Sequence, residues 1–184
     1  VIEQRLSLKW HHGNEITHEH LDLLFSCYQN TIAEHGSYAY LNRKFFETLV
    51  QTFPDGVQLL IAQQGGRSIA CAFFLRGKNS LYGRYWGALE QASDLHFEAC
   101  YYAPIEYCID HGVGRFEAGA QGEHKLSRGL TPQTTLSAHW LAHEGFHDAV
   151  RRYTAEEESH LADYTEIREA HSPFRRDGQT DTEC

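Results

Sequence analysis

Three apolar runs joined by very short connections, between Val57 and Ala88, constrain the fold of this chain more than any other feature. Val57–Gln63 is followed by Gln64-Gly65-Gly66-Arg67 and then by Ser68–Arg76. A Gly-Gly pair tolerates the positive φ angles of a tight hairpin turn, so the two runs must pair antiparallel. Gly77-Lys78-Asn79 then turns the chain into Ser80–Ala88. An antiparallel meander of three strands needs both faces covered or one face wet, and the flanking segments supply the cover.

Glu3–Lys9 alternates enough to be a strand, with His11-His12-Gly13-Asn14 as a turn. Thr17 is a candidate N-cap for a helix from His18 to about His35. Its apolar stripe is Leu21, Leu24, Phe25, Tyr28 and Ile32, and Gly36 ends it. Asn42 is placed to cap a second helix whose Phe45, Phe46, Leu49, Val50 and Phe53 face inward. Asp94–His111 reads as a helix interrupted or begun at Pro104. Arg115–Gly119 reads as a short strand and Gln121–Leu130 as a loop or short helix. Thr134–Leu141 reads as a strand and Gly145–His160 as an exposed helix. This order predicts an α/β (α+β) domain, with a central mixed, mostly antiparallel sheet flanked by helices, over residues 1–171. Residues 172–184 form a polar tail.

Composition excludes several classes. The chain has 184 residues and a formal charge of −9, which argues against a duplex DNA-binding module. No apolar run reaches the length of a membrane span, and a cytoplasmic location is expected. Five cysteines with no C-x-x-C spacing read as reduced thiols. The sequence contains no methionine, even at position 1, as expected of a fragment or a processed chain.

The chemistry-bearing residues fall into three groups. Tyr82, Arg84 and Trp86 alternate along a strand, with Tyr85 on the opposite face. His96-Phe-Glu-Ala-Cys-Tyr-Tyr102 follows, and helical spacing puts Glu98, Tyr101, Tyr102 and Glu106 on one side. A carboxylate there suits proton abstraction; a structural ion pair between Arg84 and Glu98 is the competing reading. The second group is Glu117-Ala-Gly-Ala-Gln-Gly-Glu-His-Lys-Leu-Ser-Arg128. Small residues let a ligand approach the backbone. Lys125 and Arg128 suit a phosphate, and His124 suits proton transfer. The third group is histidine: His139, His143 and His147 are spaced by four, but no H-E-x-x-H motif is present, and no metal ligand is assigned.

Leu81-Tyr-Gly-Arg-Tyr-Trp-Gly87, His96–Tyr102 and Glu117–Leu126 resemble signatures of the FemAB-like proteins, labelled peptidoglycan biosynthesis or recognition proteins or N-acyltransferases. Ser127-Arg-Gly129, Pro132, Ser137-Ala-His-Trp140 and Pro173-Phe-Arg175 extend the resemblance over nearly the whole chain, and Tyr40-Leu41 with Phe45-Phe46 match more loosely. It implies a GNAT-like acyl-CoA N-acyltransferase fold and the C-terminal one of two tandem units, so that an N-terminal GNAT-like half is missing. The implied reaction is transfer of an acyl or aminoacyl group to a primary amine of a small-molecule or peptide substrate. The donor would be acyl-CoA or aminoacyl-tRNA, with no tightly bound cofactor. No Q/R-x-x-G-x-G/A loop follows a central strand. On this reading Glu98, Glu117 and His124 are the candidate catalytic residues. Tyr82, Arg84, Trp86, Tyr101, Tyr102 and Gln121 would bind substrate, and Lys125 and Arg128 the donor. The alternatives are a non-catalytic module of the same fold that binds a peptide or glycan, and a histidine-based metalloprotein.

Overall fold

The computed structural model describes residues 6–119, 123–131, 133 and 135–170. The chain forms two compact units, Val1–Ala120 and Gln121–Cys184.

The first unit is built on the meander. Strands β1 (Leu6–His12), β2 (Val57–Gln64), β3 (Arg67–Arg76), β4 (Ser80–Ala88) and β5 (Arg115–Glu117) lie side by side in chain order. The first four pair antiparallel, and β5 joins β4 parallel. The β2–β3 turn uses Gly65 and Gly66, both at positive φ, as the hairpin requires. β1 ends later than expected, and Glu3–Arg5 lie outside the described residues. His11 and His12 stay in the ladder opposite Leu59 and Gln58, and the turn starts at Gly13, whose φ of 39° lets the chain leave the sheet.

Period-2 alternation sends β2 and β3 side chains to two different cores, which is why both strands read as continuous apolar runs. Leu59, Ile61, Cys71 and Phe73 face one core with Leu21, Leu24, Cys27, Tyr28 and Phe46. These last five come from α1 (His18–Glu34) and α2 (Arg43–Thr52). Leu60, Ala62, Ala72 and Phe74 face the other core with Leu95, Ala99, Tyr107 and Cys108. The caps form as the sequence indicates. Thr17 Oγ1 accepts from His20 N at 3.3 Å, and Asn42 Oδ1 accepts from Phe45 N at 2.9 Å.

The expected helix over Asp94–His111 is three pieces: α3 (Leu95–Phe97), a π turn (Glu98–Tyr102) and α4 (Ala103–Asp110). Pro104 is the physical cause. It has no N–H to donate, so the chain widens before it, Ala103 N reaches back to Glu98 O, and Pro104 sits in the first turn of α4.

In the second unit, a 3₁₀ turn (Glu123–Arg128) comes first and α5 (Glu144–Ala170) closes the described residues. The strand expected at Thr134–Leu141 does not form: residues 135–141 carry no regular element, and Thr134 lies outside the described residues. Side chains 135–140 are exposed, so the apolar residues there have no sheet surface to pack on.

Candidate functional site

The register of β4 decides which of its side chains meet. Phe73 pairs with Tyr85 and Phe74 with Gly83, so Arg84 is an extra residue in β4, a β-bulge. The bulge overturns the expected facing. Tyr82 lies opposite Leu75 and Tyr85 opposite Phe73, both on the α1–α2 side. Trp86 lies opposite Ala72 on the α4 side. Tyr82 and Tyr85 therefore share a face, and Trp86 points the other way. Simple alternation failed because one inserted residue flips every side chain beyond it. Gly83 beside a charged residue inside a strand was the available signal of a bulge.

The same stretch is where the β4–β5 ladder ends. Parallel pairing runs from Ser80/Arg115 to Tyr82/Glu117 and stops. Gly83 is closely backed there: a Cβ on it would lie 3.5 Å from Glu117 O and 3.7 Å from the Ala118 Cα. Gly119 takes a φ of 79°, and a Cβ on it would lie 3.7 Å from Gly83 O, so the chain still runs beside β4 after the ladder has ended. Beyond Tyr82, among the described residues, β4 has no strand neighbour on this side. A fork at the carboxyl end of parallel strands is where open sheets present backbone groups to ligands.

The side chains at the fork are specific. Arg84 is exposed, and its guanidinium carbon lies 5.9 Å from the centre of the Tyr85 ring. Glu117 is half-buried and pairs with Arg115 at 3.0 Å. Tyr85 OH and Tyr40 OH are hydrogen-bonded at 2.8 Å. Tyr40 is positioned in turn by buried Tyr28, whose hydroxyl accepts from Tyr40 N at 3.2 Å and Leu41 N at 3.3 Å. Burial, and then the bond to Tyr40, push Tyr85 up to about 12, against the opposing pull of Arg84. Tyr28, Tyr40 and Tyr85 were not singled out as site residues in the sequence. The α1–α2 connection that carries Tyr38 and Tyr40 leaves them 92% and 71% exposed, which is unusual for large aromatics.

The other expected site residues divide. Trp86 stacks edge-on with His96 at 5.7 Å, and His96 with Tyr101 at 5.6 Å, a packing cluster on the α4 side. Tyr101 is only 3% exposed, whereas Glu98, Tyr102 and Glu106 are at the surface. The expected shared side is therefore broken by the π turn, which rotates Tyr101 into the core. Among the described residues no ion pair joins Arg84 to Glu98. In the second unit, the 3₁₀ turn carries His124, Lys125 and Arg128, with Arg128 Nη1 donating to Ser127 Oγ at 3.3 Å. Gln121 lies outside the described residues.

A second polar concentration sits at the opposite edge of the sheet. A pocket of about 600 Å³ is lined by Lys9, Trp10, His11, His12, Glu15 and His20. His12 Nδ1 bonds buried Gln58 Oε1; the Tyr107 hydroxyl donates to the same oxygen at 3.4 Å and accepts from Arg76 at 2.9 Å. The His11 and His20 rings lie 4.1 Å apart, and burial lowers both below the usual histidine range. His20 Nδ1 accepts from Thr17 N, so the imidazole completes the α1 capping box. Among the described residues, no three His, Cys, Asp or Glu side chains are grouped to hold a metal ion. His139 and His143 precede α5, so the three spaced histidines do not share a helix face.

The fold is that of the GNAT acyltransferases. An aminoglycoside acetyltransferase from an uncultured soil metagenomic sample, in complex with sisomicin, matches with a TM-score of 0.52 at 10% identity, over 76% of this chain and 97% of its own. A ribosomal-protein-alanine N-acetyltransferase from Brucella melitensis matches at 0.50 and 11% identity, over 76% and 99%. Another aminoglycoside N-acetyltransferase, in complex with CoA, matches at 0.50 and 10% identity, over 76% and 97%. Among curated proteins none matches the chain. Residues 1–176 match the FemAB-like family, described as peptidoglycan biosynthesis/recognition, and the chain belongs to that family. Among the described residues no helix is long and apolar enough to cross a membrane.

Proposed function

We propose that this chain is an N-acyltransferase that carries an acyl group from an activated donor to a primary amine at the fork between β4 and β5. The observation that carries the proposal is the bulge at Arg84, placed where the parallel β4–β5 pairing ends. The family and the fold are those of N-acyltransferases. Such a reaction asks little of the protein beyond alignment and charge stabilisation. The amine loses a proton and attacks the donor carbonyl, the carbonyl oxygen becomes an oxyanion, and the leaving group departs. A bulge turns backbone N–H groups out of the ladder, where they can donate to that oxyanion.

In this reading Glu117 accepts the amine proton, directly or through water, and Arg84 keeps the acceptor amine in its neutral form by charge repulsion. Tyr82, Tyr85 and Tyr40 line the acceptor side. In the second unit, Lys125 and Arg128 are cations of the kind that hold a donor's phosphates. Acyl-CoA is the donor that the fold favours. The acceptor is a primary amine on a cell-wall peptide precursor, a choice supported by the family's description.

Calorimetry with CoA and acetyl-CoA, followed by thiol release in the presence of peptide and amino-sugar amines, tests the proposal. Binding plus turnover, with turnover reduced about 10–100-fold in Arg84→Ala, supports it. Absence of CoA binding with retained binding of a muropeptide would instead establish a non-catalytic module, a reading that the exposed Tyr38 and Tyr40 favour.

A further inference from the structure

Two thiols from different elements meet under β4. Gly87 pairs with Cys71 across β3–β4, so their Cα atoms are about 4.5–5.5 Å apart. On the same face, α1 descends directly onto Gly87: a Cβ there would lie 2.9 Å from the Cys27 Cα and closer still to its carbonyl. Only a glycine leaves room for this approach, and it brings Cys27 over Cys71. Both residues belong to the same core cluster, and both are 1% exposed. A disulfide spans Cα atoms roughly 4.4–6.8 Å apart, and Cys27 and Cys71 have Gly87 as a common close neighbour on one face of the sheet.

We propose that Cys27 and Cys71 form a thiol–disulfide site that closes under hydroperoxide and joins α1 to β3. Cys27 lies on α1, the element that lifts, so peroxide meets it first, while Cys71 lies within β3, where burial raises its thiol and keeps its proton. The Cys27 thiolate attacks the peroxide; an S–O bond forms, the O–O bond breaks, and water leaves after taking a proton. Cys71 sulfur then attacks the Cys27 sulfenic sulfur; the S–S bond forms, and the hydroxyl leaves as a second water with the Cys71 proton. Two thiols lose two electrons and the peroxide gains them. Cys100 and Cys108 pack on the opposite face of the sheet, so they do not compete. Because both sulfurs are buried, the rate follows local lifting of α1 from the sheet. Closure fixes the helix that carries Tyr28, and through it the Tyr40–Tyr85 contact at the fork.

The test treats the fully reduced 184-residue chain with hydrogen peroxide, alkylates the remaining thiols after unfolding, and maps peptides by mass spectrometry without reduction. The expected result is one intramolecular Cys27–Cys71 linkage with Cys100, Cys108 and Cys184 alkylated. The thermal midpoint should rise by on the order of 10 °C, reversed by dithiothreitol. Cys100→Ala should link identically, and Cys27→Ala should lose the peroxide-dependent shift. Recovery of Cys27 and Cys71 as alkylated thiols, or linkage through Cys100 or Cys108, overturns the proposal. The readout does not depend on acyl transfer.

Discussion

Replacing Gly87 by alanine places a methyl group where the α1 backbone already is. The new Cβ would lie 2.1 Å from Cys27 O, 2.5 Å from its carbonyl carbon and 2.9 Å from its Cα. These atoms belong to a helix held on the sheet by Leu21, Leu24, Tyr28 and Phe46, so no rotamer change relieves the clash. Relief requires α1 to lift by more than 1 Å, a displacement of the order ordinary contact distances demand. Overpacking of this kind costs about 1–3 kcal/mol, and a backbone-on-backbone contact belongs at the upper end. About 3 kcal/mol is a large share of a typical stability of about 5–15 kcal/mol. It corresponds to a fall in thermal midpoint of roughly 6–12 °C for a chain of this size. Gly77→Ala is the control, since its Cβ meets only ordinary contacts at 3.6 and 3.8 Å. Thermal and urea unfolding followed by circular dichroism gives both numbers. If Gly87→Ala unfolds with the same midpoint as Gly77→Ala, α1 does not sit on β4 as described, and the Cys27–Cys71 site loses its basis too.

Other expectations follow from the hydrogen bonds. Asn42→Ala removes the cap of α2 and should cost about 1 kcal/mol in urea unfolding; an unchanged midpoint would show the cap to be replaceable by water. Tyr40→Phe deletes the bond to the Tyr85 hydroxyl, so an ultraviolet pH titration should show Tyr85 ionising at lower pH than in the parent. Since Tyr85 is held neutral in the fold, its contribution to stability is complete below about pH 10 and is lost as pH rises towards 12. His11 and His20 have the opposite sign. Burial first, and for His11 then the charge of His20, hold both below their unfolded value of about 6.5. Their contribution is present above that value and is lost as pH falls below it. His20→Gln keeps an acceptor for Thr17 N without a titrating group, so it should flatten the acid side of the stability curve measured by urea unfolding. An equally steep acid limb in His20→Gln would exclude His20 as its source.

The sequence by itself determined the local structure and the family. The Gly65-Gly66 hairpin, the Thr17 and Asn42 caps and the apolar stripes of α1 and α2 depend on neighbours in the chain, so they were legible. The runs around Arg84, Tyr102 and Glu117 carried the resemblance for the same reason: a motif is a local pattern. What only the tertiary structure decided is which of those residues face one another. A single extra residue at Arg84 turns Tyr82 and Tyr85 to the same side and Trp86 to the other, and a π turn before Pro104 drives Tyr101 inward while Tyr102 stays out. Tyr28, Tyr40 and Tyr85 come together from α1, the loop after it and β4, and Cys27 reaches Cys71 only because Gly87 has no side chain. Such meetings depend on register and on the distance between packed layers, which are fixed when the whole sheet and its helices settle together rather than by any one stretch of residues.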